Sequence, residues 1–174
     1  RFLDYEFAID ATEEFRAGLR PGRKLLYLGD NAGEIVFDRV LVERIVEQDV
    51  DVTFTVKSGP IINDATMTDA AQAGLTDLVR VIETGSDDIG VHWERCSDEF
   101  LAAFESADLI LSKGQGNFES CDSRPGNIYF LLKAKCPCVA RELGVQYGDI
   151  LHENEAAKER AIAFAEALDD GRDD

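Results

Sequence analysis

The chain has 174 residues, of which 45% are hydrophobic, 9% aromatic and 30% charged, a single-domain length with enough apolar material to bury a core. Against 18 Lys and Arg stand 35 Asp and Glu, a formal net charge of −17 that repels nucleic acid and anionic membrane surfaces. No apolar run approaches the roughly 18 residues of a membrane span, and no signal peptide is expected at the start.

The cysteines Cys96, Cys121, Cys136 and Cys138 lack CxxC spacing, and a chain of this size needs no staples. They read as reduced thiols of a cytoplasmic protein. Two histidines, His92 and His152, argue against His-rich zinc chemistry, so any metal would be held by oxygen donors. Arg1 in place of an initiator methionine is consistent with a fragment or a processed chain.

In chain order, residues 1–20 read as a helix with Phe2, Leu3, Phe7 and Phe15 as its apolar positions, stopped by Pro21-Gly22. KLLYLG (24–29) reads as a buried strand and the following DNAG as a turn. EIVFDRVLVERIVE (34–47) has helical spacing through Ile35, Val36, Val40, Leu41 and Ile45. DVTFTVK (51–57) is a second strand, then a helix over about 63–73, a third strand over 78–82, a helix over 97–106 and a fourth strand over 108–112. A Gly-rich turn, a helix over about 127–134, a strand near 138–140 and an amphipathic helix over about 153–168 complete the pattern. The acidic tail 169–174 reads as disordered.

Alternation of strands and helices predicts an α/β fold, a three-layer α/β/α sandwich around a mostly parallel Rossmann-like sheet. Ligands of such sheets sit at the carboxyl ends of the strands. Strand one is followed by Asp30 and Asn31, strand two by Lys57-Ser58-Gly59-Pro60 and then Asn63-Asp64, and strand four by Lys113-Gly114-Gln115-Gly116-Asn117. Asp30, Asn31 and Asp64 together make a hard oxygen set suited to Mg²⁺ or Mn²⁺. Singly, each is better explained by turn chemistry or by an N-cap; it is the three together that point to a metal. Lys113 with Gly114 and Gly116 has the make-up of an anion cradle, or of a tight strand-to-helix turn. Lys133 and Lys135, in an apolar stretch, either snorkel to the surface or aim into the crevice. Cys136 and Cys138 read as packing rather than ligands.

Familiar nucleotide sites are missing. The first turn, G-D-N-A-G, is not GxGxxG, and Lys57 ends strand two where a ribose-binding domain places a carboxylate. No GxxxxGK[ST] occurs, and Ala32 stands where a haloacid-dehalogenase phosphatase has its second Asp.

GDNAGEIVFD (29–38), VKSGPIINDAT (56–66), SKGQGNFES (112–120) and LLKAKCPCVA (131–140) resemble, in order and spacing, the family first described as domain of unknown function 89. Its members are metal-dependent damage-control or carbohydrate-phosphate phosphatases, and the short form here is most similar to the prokaryotic branch. The resemblance implies a divalent ion (Mg²⁺, Mn²⁺, Co²⁺ or Ni²⁺) on Asp30, Asn31 and Asp64, with Glu34 orienting a ligand or a water. It also implies substrate contacts from Lys113, Gly114, Gly116, Asn117 and Lys135, with Lys133 close to the last. The implied reaction is hydrolysis of a small phosphorylated metabolite by a metal-positioned water or through a phospho-aspartate. Ser120-Cys121 replaces the family's usual Thr-Leu. The branch usually carries a large N-terminal helical domain, so 1–22 is expected to be its remnant, 23–168 the catalytic domain and 169–174 a tail. An S-adenosylmethionine-dependent carboxyl methyltransferase and a non-catalytic acidic interaction module are the alternatives. The acidity is uneven, since residues 112–141 carry five basic side chains against two acids.

Overall fold

A computed structural model describes residues 6–154. Six strands form one sheet: β1 (Lys24–Leu28), β2 (Asp51–Val56), β3 (Arg80–Glu83), β4 (Leu109–Lys113), β5 (Ile128–Lys133) and β6 (Ile150–Glu153). Their order is β3-β2-β1-β4-β5-β6, parallel except for β6, which runs antiparallel to β5. The predicted α/β/α sandwich is therefore the fold. Connecting helices are α2 (Ile35–Val46), α3 (Met67–Gln72), α4 (Asp98–Ser106), α5 (Gln115–Cys121) and α6 (Pro137–Glu142), preceded by α1 (Thr12–Gly18).

Central strands buried on both faces need continuous apolar runs, and KLLYL and LILSK supply them. Tyr27 stacks on Phe54 at 4.8 Å between β1 and β2, while Trp93 packs edge-on to Phe104 beneath α4. Ser97 caps α4 by accepting from Phe100 N at 3.1 Å, which sets its start. The strand order reverses between β1 and β4, which puts a topological switch point at their carboxyl ends, where ligand crevices of such sheets lie.

The structure corrects several expectations. Helix α1 is limited to Thr12–Gly18; residues 8–11 are non-helical and pair with β6 through Ala8 N–Ile150 O (3.0 Å), His152 N–Ile9 O (3.0 Å) and Ala11 N–His152 O (2.7 Å). Available backbone partners on the sheet edge outweigh the weak helical periodicity of this stretch. Residues 128–133, read as a helix, form β5, and the strand read near 138–140 is α6. IYFLLK is buried along nearly its whole length, so no period distinguishes strand from helix, and its aromatic and β-branched residues favour the strand. Pro137 starts α6 in the first helical turn, where it needs no N–H partner. Within α2 the buried stripe is Ile35, Asp38, Val42 and Ile45, whereas Val36 and Val40 face solvent and Phe37 is 76% exposed. The start of the helix expected at 153–168 is occupied by the end of β6; residues 155–174, with the tail at 169–174, and Phe2 and Leu3 lie outside the described residues. Among the described residues no helix is long and apolar enough to cross a membrane.

Candidate active site

Three loops meet at the crevice. The loop after β1 is zipped to the loop before α3 by Ala32 N–Asn63 O (2.8 Å), Ala65 N–Asp30 O (2.7 Å) and a bridge between Asn31 and Asp64. These backbone bonds bring Asp30, Asn31 and Asp64 side by side. The N-cap of α3 is Thr66, in a reciprocal capping box with Asp69, so Asp64 is free of that duty. On the other side, Asn117 donates from Nδ2 to Gly29 O (3.1 Å) and Lys113 O (2.9 Å), fastening the exits of β1 and β4 together.

Gly114 completes the floor. Its φ of 82° and ψ of 160° belong to a region essentially reserved for glycine. A Cβ there would fall onto the Asp30 carboxylate, only 2.9 Å from even the farther oxygen, Oδ1. Gly116 has a different position: inside α5, its Cα faces Ile89 and Gly90. Lys133 and Lys135 are both exposed and both line the cleft of about 240 Å³ that Asp30, Glu34, Lys113, Gly114 and Gln115 share with Leu131, Leu132 and Ile150. Lys135 is steadied through its backbone N–H, which donates to Gln115 Oε1 at 2.9 Å.

A hydrogen-bonded chain runs beneath these groups. Asn31 Nδ2 donates to Asp30 Oδ2 (2.9 Å) and to Glu34 Oε1 (3.2 Å). Lys113 Nζ donates to Glu34 Oε2 (2.9 Å) and to Asp38 Oδ1 (2.8 Å), which also accepts from the hydroxyl of fully buried Tyr27 (2.8 Å). Sequence reasoning missed Asp38 and Tyr27. The available signal was a carboxylate spaced at i+3 from Ile35 within the apolar stripe of α2. It also missed Lys57 as a site residue: 4% exposed, it donates to Gly90 O and lies 3.8 Å from Asp64 Oδ2.

The electrostatics follow from this crowding. Burial, then the neighbouring charges of Asp64 and Glu34, push the Asp30 carboxyl up to about 6. Burial raises Asp64 too, although Lys57 opposes it, and burial lowers the Lys57 ammonium. Burial also works against the Lys113 ammonium, but Asp38 and Glu34 outweigh it and hold its pKa above the ordinary lysine range. Glu34 goes the other way: burial disfavours its charge, yet the hydrogen bond from Lys113 keeps its pKa low.

Among the described residues no three His, Cys, Asp or Glu side chains gather into a metal cage. The donor set at this crevice is instead two carboxylates and an amide. With Asn31 Nδ2 committed to Asp30 and Glu34, its oxygen remains the donor atom. An Asp30 carboxyl that is hard to ionise beside Asp64 lacks positive charge, and a divalent cation with oxygen preference fits that deficit.

A family model described as the damage-control phosphatase ARMT1-like domain matches residues 2–151. An uncharacterized protein of Methanocaldococcus jannaschii is 49% identical over 153 residues, 84% of this chain and 50% of its own length. A damage-control phosphatase of Pyrococcus horikoshii is 44% identical over 153 residues, covering 87% of this chain and 53% of that protein. One from Archaeoglobus fulgidus is 42% identical over 130 residues, 74% of this chain and 45% of the relative. The crystal structure of a DUF89 family protein from P. horikoshii superposes with a TM-score of 0.84 at 44% identity, covering 87% of this chain and 54% of that one. The chain thus spans about half the length of the curated relatives it matches.

Proposed function

The chain belongs to the damage-control phosphatase ARMT1-like domain family, and from that membership we propose that its crevice hydrolyses small phosphomonoesters, such as sugar phosphates or damaged phosphometabolites. The observation that carries this reading is the convergence of Asp30, Asn31 and Asp64 at the switch point, next to a cleft whose free charges are lysines. Bound to those three residues, a divalent cation would supply Lewis acidity and charge neutralisation toward a phosphoryl oxygen.

The remaining work falls to the protein's own groups. Lys113 has three donors, of which Glu34 and Asp38 take two; the third is left for a phosphoryl oxygen. Lys135, with Lys133 beside it, supplies further positive charge at the rim of the cleft. Glu34 holds the Asn31 amide in one orientation through Oε1 and Lys113 through Oε2, so it orients one residue on each side of the site. Gly114 permits the close approach of Asp30, and Asn117 keeps the two strand exits at a fixed spacing. Leu131, Leu132 and Ile150 give the cleft an apolar wall for the carbon skeleton of a substrate.

The test has two readouts. Thermal melting with Mg²⁺, Mn²⁺, Co²⁺ or Ni²⁺ should show stabilisation that Asp30→Ala and Asp64→Ala each remove. A panel of sugar phosphates and other phosphometabolites assayed with the same ions should show hydrolysis that both variants abolish. Full turnover in either variant would refute the site.

A further inference from the structure

Asp38 is an anomaly of the core. It occupies the buried stripe of α2 with Ile35, Val42 and Ile45, is 5% exposed, and among the described residues its Oδ2 has no hydrogen-bond partner. An apolar side chain of similar size would satisfy that position at lower cost, since a buried carboxylate with an orphaned oxygen is destabilising. Its other oxygen, Oδ1, accepts from Tyr27 OH and Lys113 Nζ, both at 2.8 Å. Tyr27 is itself fully buried and stacked on Phe54 in the centre of the sheet. Asp38 therefore ties a cleft lysine to the buried centre of the sheet.

We propose that the Tyr27–Asp38 pair is a positioning device for Lys113, fixing the direction of its ammonium so that one donor stays aimed at the substrate phosphoryl group. This rests on the reading of Lys113 as a phosphate contact. Glu34 is half-exposed and on its own leaves a long side chain free to swing toward solvent; the buried second anchor removes that freedom. The arrangement has the form of the outer-shell partners that orient ligands at metal sites, whose loss typically costs about 10–100-fold in activity.

Competitive acylation of the full chain, read by mass spectrometry, reports Lys113 without any assumption about activity. Lys113 should label slowly in the unaltered protein. In Asp38→Asn its labelling should rise about tenfold relative to exposed Lys133, as expected when one of two carboxylate partners is lost. Tyr27→Phe, which keeps the carboxylate, should raise it by a smaller factor and serves if Asp38→Asn does not fold. Unchanged labelling in the folded variants would overturn the proposal. In kinetics, Asp38→Asn should lower kcat by about 10–100-fold with KM nearly constant. The same substitution in a Lys113→Met background should have almost no further effect, because its action passes through that side chain. Equal losses in the two backgrounds would mean that Asp38 acts on the fold instead. Altered labelling in a chain that hydrolyses no phosphomonoester would uphold the positioning and remove the phosphatase reading.

Discussion

Replacing Gly114 by alanine tests the geometry of the site at its tightest point. Two separate penalties arise. The backbone at φ 82° and ψ 160° is one that a residue with a Cβ occupies at a cost of about 1–3 kcal/mol. The new methyl would also land on the Asp30 carboxylate, whose farther oxygen is 2.9 Å from the ideal Cβ position, so the carboxylate must move or the loop after β4 must open. A domain of this size loses about 2–4 °C per kcal/mol, so differential scanning calorimetry should record a fall of about 2–12 °C from the backbone penalty alone. Displacing a reacting or ligating group by about 1 Å costs on the order of 100-fold in rate, so hydrolysis should fall far more than stability. Gly33 is the matched control: it lies in the same loop as Asp30, its added Cβ meets nothing within 4 Å, and Gly33→Ala should leave the melt close to that of the unaltered chain. A Gly114→Ala protein that melts within about 1 °C of the parent, below the smallest fall expected, and keeps full turnover would refute this account of the floor.

Two further outcomes are expected. His152 is buried against Phe7, Phe15 and Tyr129, and burial lowers its pKa below the usual 6.5. The folded state therefore favours the neutral ring; its contribution is present above 6.5 and is lost as the pH falls below that value, where the unfolded chain takes up the proton first. Melting temperatures measured from pH 8 down to 5 should decline more steeply for the parent than for His152→Phe, and parallel curves would sink the idea. Iodoacetamide in the native state should label Cys138, which is exposed, and spare Cys121, which is buried with its thiol pushed up to about 12 by that burial. Equal labelling of both by peptide mapping would contradict the packing of α5.

The first half of the chain was largely legible because its strands and helices differ in length and in period. KLLYL and DVTFTV are short and continuous, and DEFLAAFES carries a clear cap in Ser97. Beyond Lys113 legibility fails for physical reasons: two glycines conceal α5, and a strand buried on both faces looks like a buried helix. The N-terminal stretch failed because the partner that holds it out of the helix, β6, lies more than a hundred residues away. At the site, Asp30, Asn31, Asp64 and Gly114 meet because the strand order brings the loops that carry them to one edge, whereas Gly116 turns away into α5. Asp38 and Lys57 went unnoticed as parts of it because each sits in an apolar run whose interpretation was helix face or strand end. Their place beside the site depends on cross-strand geometry that spacing along one element does not encode.

The pairing of residues 8–11 with β6 has a mechanical meaning. The segment runs in parallel with Ile150–His152, so tension applied at residues 6 and 154 pulls the two strands past each other lengthwise. The hydrogen bonds from Ala8, Ala11 and His152 then share the load at once instead of opening one after another like a zipper. Stretched from those points, the protein should yield in a single high-force event, followed by the sheet interior. The loops that carry Lys113 and Asp30, two and three strands further in, feel no force until that clamp has parted.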